Sequence, residues 1–268
     1  HPHQADNTKQ HAYSWDKTRA HITKTPLTAV NITHNAAGQL EDCQNSLSVV
    51  SEIIILDSGS DDETENIALK HKARFIHQDW LGYGPQKQKA VGLAKNDWVL
   101  CLDADERVSD ELAASIQSVM ESPQYQAYQF PRCNRFMGKW LRHGEGYPDT
   151  SLRMFNRNAA KWSDDPVHEV VKTNVRVADL HGDLLHDSAI SLASYLEKQN
   201  RYTSLQAVKM HMSGKKAGIL NLLLNPIFRF FKFYFYRLGF LDGVPGLIHI
   251  LIGCQNTFIK YAKLRELE

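Results

Sequence analysis

Asp103-Ala104-Asp105-Glu106 closes an apolar run, Trp98-Val99-Leu100-Cys101-Leu102. Read as a buried strand ending in carboxylates at i and i+2, the segment aims both at one place, because alternate side chains of an extended chain share a side. Two acidic groups so placed are costly unless a cation holds them. Hard oxygen ligands of this kind suit Mg²⁺ or Mn²⁺, usually shared with a substrate phosphate. The plain alternative is an acidic loop whose Asp and Glu open the next helix. Asp57 stands at the mouth of a second apolar run, residues 52–56, and begins Asp-Ser-Gly-Ser-Asp-Asp-Glu-Thr. A carboxylate there can accept from a base N–H or a ribose hydroxyl, and Ser58, Gly59 and Ser60 let the backbone turn closely around a ligand. A strand-to-helix turn with its cap is the competing reading.

The elements that must hold these residues alternate in type. Residues 27–33 read as an apolar, β-rich strand, followed by a loop at Asn35-Ala36-Ala37-Gly38 and a helix to about 49. Residues 52–56 are short and Ile-rich, the type buried on both faces of a parallel sheet. Ser60 with Glu63 has the capping-box spacing, which predicts a helix from there to about 70. Residues 73–76 form a third strand, Gly82-Tyr83-Gly84-Pro85 a loop and 86–94 a helix. Residues 98–102 are the strand that reaches the acidic pair, and Ser109 caps a helix over 110–121. This alternation predicts an α/β, doubly wound, mostly parallel sheet, in which ligands sit beyond the carboxyl ends of the strands. Asn35, Asp57, Asp103 and Asp105 all follow strand ends and so converge on one edge. After about 125 the pattern loosens into strands and loops, where His186-Asp187 reads as a structural turn. From about 191 it becomes helical again.

The succession Asn35, Asp57-Ser58-Gly59-Ser60-Asp61-Asp62-Glu63-Thr64, Gly82-Tyr83-Gly84 and Asp103-Ala104-Asp105-Glu106 resembles family 2 glycosyltransferases of the Rossmann-like GT-A fold. Gly138-Lys139-Trp140, Tyr147-Pro148-Asp149, Arg153-Met154-Phe155 and Val167-His168-Glu169 are similar to bacterial members that add a hexose, often glucose, to inner-core lipopolysaccharide. The likeness spans about residues 26–265. Two positions depart from it: Asn35-Ala36 stands where many relatives carry Asn-Glu, and Glu145-Gly146 where they often place Gly-Trp. The resemblance implies a UDP-sugar donor, a single inverting displacement and one divalent cation, Mn²⁺ or Mg²⁺, on the diphosphate. Asp105 would be its ligand and Asp103 would touch ribose or metal. Asp57, with Asn35 and Ser60 beside it, would hold the nucleotide, Asp57 reading uracil or ribose. Lys87 and Lys89 would contact nucleotide or phosphate, solvation at the surface being the alternative. Asp149 would be the base that takes the acceptor proton, because Asp149-Thr-Ser-Leu-Arg153 matches the relatives' Asp-x-x-x-Arg block; the alternative is a β-turn. For that task its pKa should be raised by partial burial and nearby carboxylates. Arg153 would offset diphosphate charge or pair with Asp149. Glu169 is the second candidate base, or supports acceptor binding with His168; a core hydrogen bond is the alternative for His168.

The chain has 268 residues, 43% hydrophobic and 23% charged, enough for a sizeable core. Its net charge of +1 hides an asymmetry: residues 201–268 carry ten Lys/Arg against three Asp/Glu, +7, which leaves −6 before them. The four cysteines have neither paired nor zinc-site spacing and read as buried thiols in a reducing cytoplasm. Residues 1–26 are polar and His-rich, without the apolar core of a signal peptide, and read as a disordered lead-in. A GT-A catalytic domain over 27–190 and a helical, membrane-associating region over 191–268 follow. In the latter, residues 219–238 are apolar almost all round, with a stripe of Asn221, Asn225, Arg229, Lys232 and Tyr236, a bend expected at Pro226, and a second apolar helix over 244–263. Basic, aromatic and amphipathic, this segment fits a membrane interface, whereas its cations make it a poor span. Packing on the catalytic domain or on a second copy in a homo-oligomer is the alternative. The chain is thus expected to be cytoplasmic and peripheral on the inner face of the bacterial plasma membrane. Its expected partners are a nucleotide-sugar donor, a glycolipid acceptor and an anionic membrane surface, with no nucleic acid. Rival functions are transfer to another lipid-linked acceptor such as polyprenyl phosphate, or a non-catalytic membrane adaptor. An adaptor would have no need of Asp57, Asp103, Asp105 and Asp149 together. A sugar-phosphate nucleotidylyltransferase would need a basic, Gly-rich loop after the first strand, which Asn35-Ala36-Ala37-Gly38 does not supply.

Overall fold

The computed structural model describes residues 23–164, 169–188 and 191–268. Most of the expected lead-in, and His168, lie outside the described residues. Strands β1 (Thr25–Thr33), β2 (Val50–Asp57), β3 (Arg74–His77) and β4 (Trp98–Asp103) are parallel, in the order β3-β2-β1-β4. Helices α1 (Ala37–Asn45), α2 (Thr64–Lys70) and α3 (Tyr83–Gly92) are the crossovers, and α4 (Asp110–Glu121) follows the acidic segment. Apolar residues run without alternation in β1 and β4 because both faces are covered. Leu27, Ala29, Leu100 and Leu102 pack with Leu112 and Ile116 of α4. Val30, Val99 and Cys101 pack on the other face with Ala90 and Val91 of α3.

The chain then doubles back. Strands β5 (Glu106–Val108), β6 (Ala127–Phe136), β7 (Lys139–Trp140), β8 (Asp149–Asn156), β9 (Ala160–Trp162), β10 (Val171–Thr173), β11 (Val177–Asp179) and β12 (Leu184–His186) complete the strands of the described residues. The main sheet continues β4-β8-β6-β12-β5, with β8 antiparallel to both β4 and β6, while β9 pairs with β10 apart from it. This mixed, mostly parallel-cored sheet between helices is the α/β GT-A fold that the sequence predicts.

Two local expectations are corrected. Ser60 is not a helix cap: its hydroxyl is bonded to Asp57, and α2 starts at Thr64, whose backbone N–H donates to Asp62 Oδ1 at 3.0 Å. Tyr83-Gly84-Pro85, read as a loop, form the first turn of α3. Residues 106–108 form β5 at the far end of the sheet, although they follow β4 almost directly. Ser109 caps α4 as predicted, accepting from Leu112 N at 3.2 Å.

Helix α5 (Leu192–Met212) opens on the capping hydroxyl of Ser191. Helix α6 (Ile219–Phe231) passes into a π-helical turn (Lys232–Tyr236) and a short 3₁₀ turn (Gly239–Asp242), and α7 (Gly243–Glu266) packs against α5 and α6. The chain breaks by 75° after Tyr236 rather than at Pro226, beside Leu238 in the left-handed conformation. No single described helix is long and apolar enough to cross a membrane. Cys43, Cys101 and Cys133 are buried, and burial pushes the Cys101 thiol up to about 11.

Candidate active site

Sheet register sets the level of the acidic residues. Thr33 at the end of β1 is paired with Asp57 and its neighbour Ile32 with Asp103, so two carboxylates reach the same edge. A pocket of about 560 Å³ opens there, lined in part by Asn35, Ser58, Trp80, Tyr83, Asp103 and Asp105. Asp57 lies just beneath, only 2% exposed. Its Oδ1 accepts from Thr33 Oγ1 (2.7 Å) and Ser60 Oγ (2.5 Å), and its Oδ2 from Gly59 N (2.9 Å) and Ser60 N (2.7 Å). Burial alone would raise its pKa, but these four donors hold the carboxyl below its ordinary value. They also fill about four acceptor sites, the capacity of a carboxylate. Asp57 therefore folds the loop around itself instead of presenting an open acceptor for the expected uracil or ribose contact. Gly59, at φ +96°, supplies a backbone conformation that L side chains avoid. Asn35 ties the neighbouring loop to this one: its N–H donates to Ser60 Oγ at 2.8 Å and its Oδ1 accepts from Asp61 N at 3.0 Å.

The acidic pair does not share one direction. Strand β4 stops at Asp103, Ala104 and Asp105 form a turn, and β5 begins at Glu106, so the i, i+2 argument for an extended chain does not apply. Asp103 is clamped between Lys87 Nζ (2.9 Å) and Arg153 Nη2 (3.2 Å). Against the effect of burial, Arg153 and then Lys87 hold its carboxyl well below the usual range. Asp105 turns instead to His186, with Oδ2 and Nε2 3.2 Å apart. Pairing of β12 with β5 and β6 makes that contact, setting His186 opposite Glu106 and Asn134. Asn134 Oδ1 can only accept, so His186 Nδ1 donates to it across 2.7 Å, which orients the ring and sets Nε2 beside Asp105. His186 thus joins the candidate site, which a turn-like reading of His-Asp missed; its cross-strand partners reveal it.

The other sequence candidates, Lys89 apart, join one ion network. Lys87, 5% exposed, bridges Asp103 to Glu169 Oε1 at 3.0 Å and lies 4.8 Å over the Trp162 ring, so it is no solvated surface lysine. Lys89 is exposed; two residues along α3 is about 200° around the helix, which turns it away from Lys87. Arg153, 7% exposed, lies under the site rather than in it. Its Nη2 reaches Glu106 Oε1 at 3.1 Å as well as Asp103, and its guanidinium faces Trp162, leaving Nη1 buried without a hydrogen-bond partner. The expected pairing of Arg153 with Asp149 is replaced by Arg132, directly opposite Asp149 on β6. Arg132 Nε and Nη2 donate to Asp149 Oδ2 at 2.9 and 2.6 Å. Arg132 Nη1 also approaches Glu106 at 3.6 Å. Fully buried Glu106, whose pKa burial pushes up against the pull of Arg153, is the hub that links Asp149 to Asp103.

These donors can hold a cation in one place. Cis ligands of an octahedral ion at about 2.1 Å are about 3 Å apart, close to the Asp105–His186 separation of 3.2 Å. Among the described residues no cluster of three or more His, Cys, Asp or Glu groups makes a closed cage. Such a site would leave coordination positions to substrate oxygens and water.

The profile described as "Glycosyl transferase family 2" matches residues 28–175. An uncharacterized glycosyltransferase of Rickettsia felis is 32% identical over 254 residues, covering 90% of this chain and 89% of the relative. The lipopolysaccharide core biosynthesis glycosyltransferase LpsC of Rhizobium meliloti is 28% identical over 253 residues, covering 91% of this chain and 94% of LpsC. The crystal structure of S. aureus TarS 1-349 aligns over 91% of this chain and 90% of its own, at 13% identity and a TM-score of 0.47.

Proposed function

The chain belongs to glycosyl transferase family 2, and from that premise we propose that it moves a hexose, with glucose the first choice, from a UDP-sugar to the heptose region of a lipopolysaccharide core, with inversion. The likeness to LpsC over nearly the full length of both chains supports the acceptor class. The observation that carries the reading is that Asp103 and Asp105 both line the pocket, Asp105 facing His186, while Asp103 is joined through Arg153, Glu106 and Arg132 to Asp149. Trp80 and Tyr83, edge to face with centroids 4.9 Å apart, wall the mouth and offer apolar faces to a base or sugar. Lys87 and Arg153 keep Asp103 charged and pointed at the pocket, where it can accept from ribose hydroxyls. Bound by Asp105 and His186, Mn²⁺ or Mg²⁺ would supply Lewis-acid stabilisation of a departing diphosphate. Arg132 donates twice to Asp149 Oδ2, so Oδ1 is the atom that takes the acceptor proton. Glu169, tied to Lys87, supports the donor side. The enzyme works at the inner membrane surface, where a lipid-borne acceptor resides.

The test is UDP release from UDP-glucose, UDP-galactose and UDP-N-acetylglucosamine with Mn²⁺, Mg²⁺ or EDTA, with and without heptose-terminated lipopolysaccharide. One donor should turn over in a metal-dependent way, Asp105→Ala should lose that dependence, and Asp149→Asn should bind UDP without transferring. Absence of both turnover and metal-dependent UDP binding in the wild type would sink the reading.

A further inference from the structure

The C-terminal helices wear their polarity reversed. On α6 the polar residues Asn221, Asn225 and Arg229 are half-buried toward the protein, while Leu223, Ile227, Phe228 and Phe231 face outward, Phe228 at 67% exposure. On α7, Val244, Leu251 and Phe258 are exposed at seven-residue spacing, hence on one side of the helix. A surface helix in water shows the opposite arrangement, and an apolar face this broad marks an interaction surface. Its rim is basic: Lys215, Lys216 and Lys232 are all exposed.

The inward side of the same elements grips the loop that leads into Asp149. Arg237 accepts from Gly144 N through its carbonyl at 2.8 Å, and its Nη2 donates to the Tyr147 carbonyl at 2.8 Å. Buried Asp242 accepts from His143 N at 2.9 Å and Arg142 N at 3.3 Å. Arg229 pairs with Glu145. A Cβ on Gly144, at φ +67°, would stand 3.2 Å from the Gly239 Cα, so the two backbones meet directly. Asp149 begins β8 two residues after Tyr147.

We infer that α6 and α7 seat in one leaflet of an anionic bilayer and that Arg237 and Asp242, in the turns that join them, latch the loop presenting Asp149, making lipid docking and acceptor presentation one mechanical unit. The latch rests on the transferase reading above. Lipid is the occupant rather than a second copy because the rim is cationic and residues 201–268 carry +7. A two-fold contact would set that charge against itself, whereas anionic headgroups complement it. Arg237 and Asp242 are positioning residues, acting only through the loop.

The experiment uses the full chain in flotation with phosphatidylethanolamine–phosphatidylglycerol vesicles and with phosphatidylcholine vesicles. Wild type should float with the anionic vesicles only. Phe228→Glu/Phe231→Glu should stay in the dense fraction yet transfer to detergent-dispersed, heptose-terminated lipopolysaccharide at the wild-type rate. Arg237→Ala and Asp242→Asn should float and bind UDP as wild type does, while kcat for that acceptor falls about 100-fold, the effect of an ångström-scale displacement. Arg237→Lys should recover part of the loss. Wild type that fails to float, glutamate variants that still float, or a solution dimer that covers Phe228 would overturn the lipid half. Wild-type kcat in both Arg237→Ala and Asp242→Asn would overturn the latch. Absence of UDP release by the wild type from every donor would remove the transferase reading and the latch together, and flotation would still decide lipid docking.

Discussion

At the scale of single residues, charge is placed by pairing rather than by exposure. Lys87 serves two carboxylates from a buried position, so Lys87→Met should cost about 3 kcal/mol in a urea melt, the order expected when one partner of a buried ion pair is removed. Glu169→Gln should be milder, because Asp103 still engages Lys87. Asp57 makes a prediction in pH. Its folded pKa is depressed, so the stability it contributes is fully present above the unfolded value of about 3.9 and is lost as pH falls through the folded one. The melting temperature should therefore drop more steeply below about pH 4 in wild type than in Asp57→Asn. A drop of equal steepness in both would show that the four hydrogen bonds do not set that titration.

At the scale of elements, Leu100 of β4 is fully buried in the core beneath α4, and Leu100→Ala should destabilise by about 2–5 kcal/mol in the same melt. Ser109→Ala should cost about 1 kcal/mol as a lost cap; Ser109 Oγ also accepts from Asp183 N at 3.2 Å, tying α4 to the loop before β12. The two capping serines show what was legible in the sequence. Ser109 and Ser60 each follow a buried carboxylate by three residues, but Asp57 captures the Ser60 hydroxyl, whereas Glu106 is engaged by Arg153 and Asp103 N and leaves Ser109 Oγ free to cap. The parallel strands were readable because two covered faces write an unbroken apolar run. β5 was not, since Glu106-Arg107-Val108 looks like loop until Arg153, forty-seven residues on, neutralises Glu106. For the same reason Asp103, Asp105 and Asp149 could be picked out as candidates, while Arg132, Glu106 and His186 could not: their signal lies in strand pairing, which one chain read in order does not display.

At the scale of the whole molecule, an acidic body of −6 is joined to a basic, apolar end of +7. Binding to phosphatidylglycerol vesicles should weaken as salt rises from 0.05 M toward 0.5 M, since the screening length is already only about 10 Å at 0.1 M, and what persists at high salt measures the apolar share. Binding indifferent to salt would mean that the basic rim contributes nothing. The sheet order has a different consequence, for biosynthesis. Asp105 and His186 are eighty-one residues apart in sequence and meet only when β12 slots between β5 and β6. A nascent chain can therefore emerge with its first four strands already paired and still lack the two-donor site. Mn²⁺ affinity should appear late and abruptly in a series of ribosome-released fragments, as a timestamp for closure of the sheet.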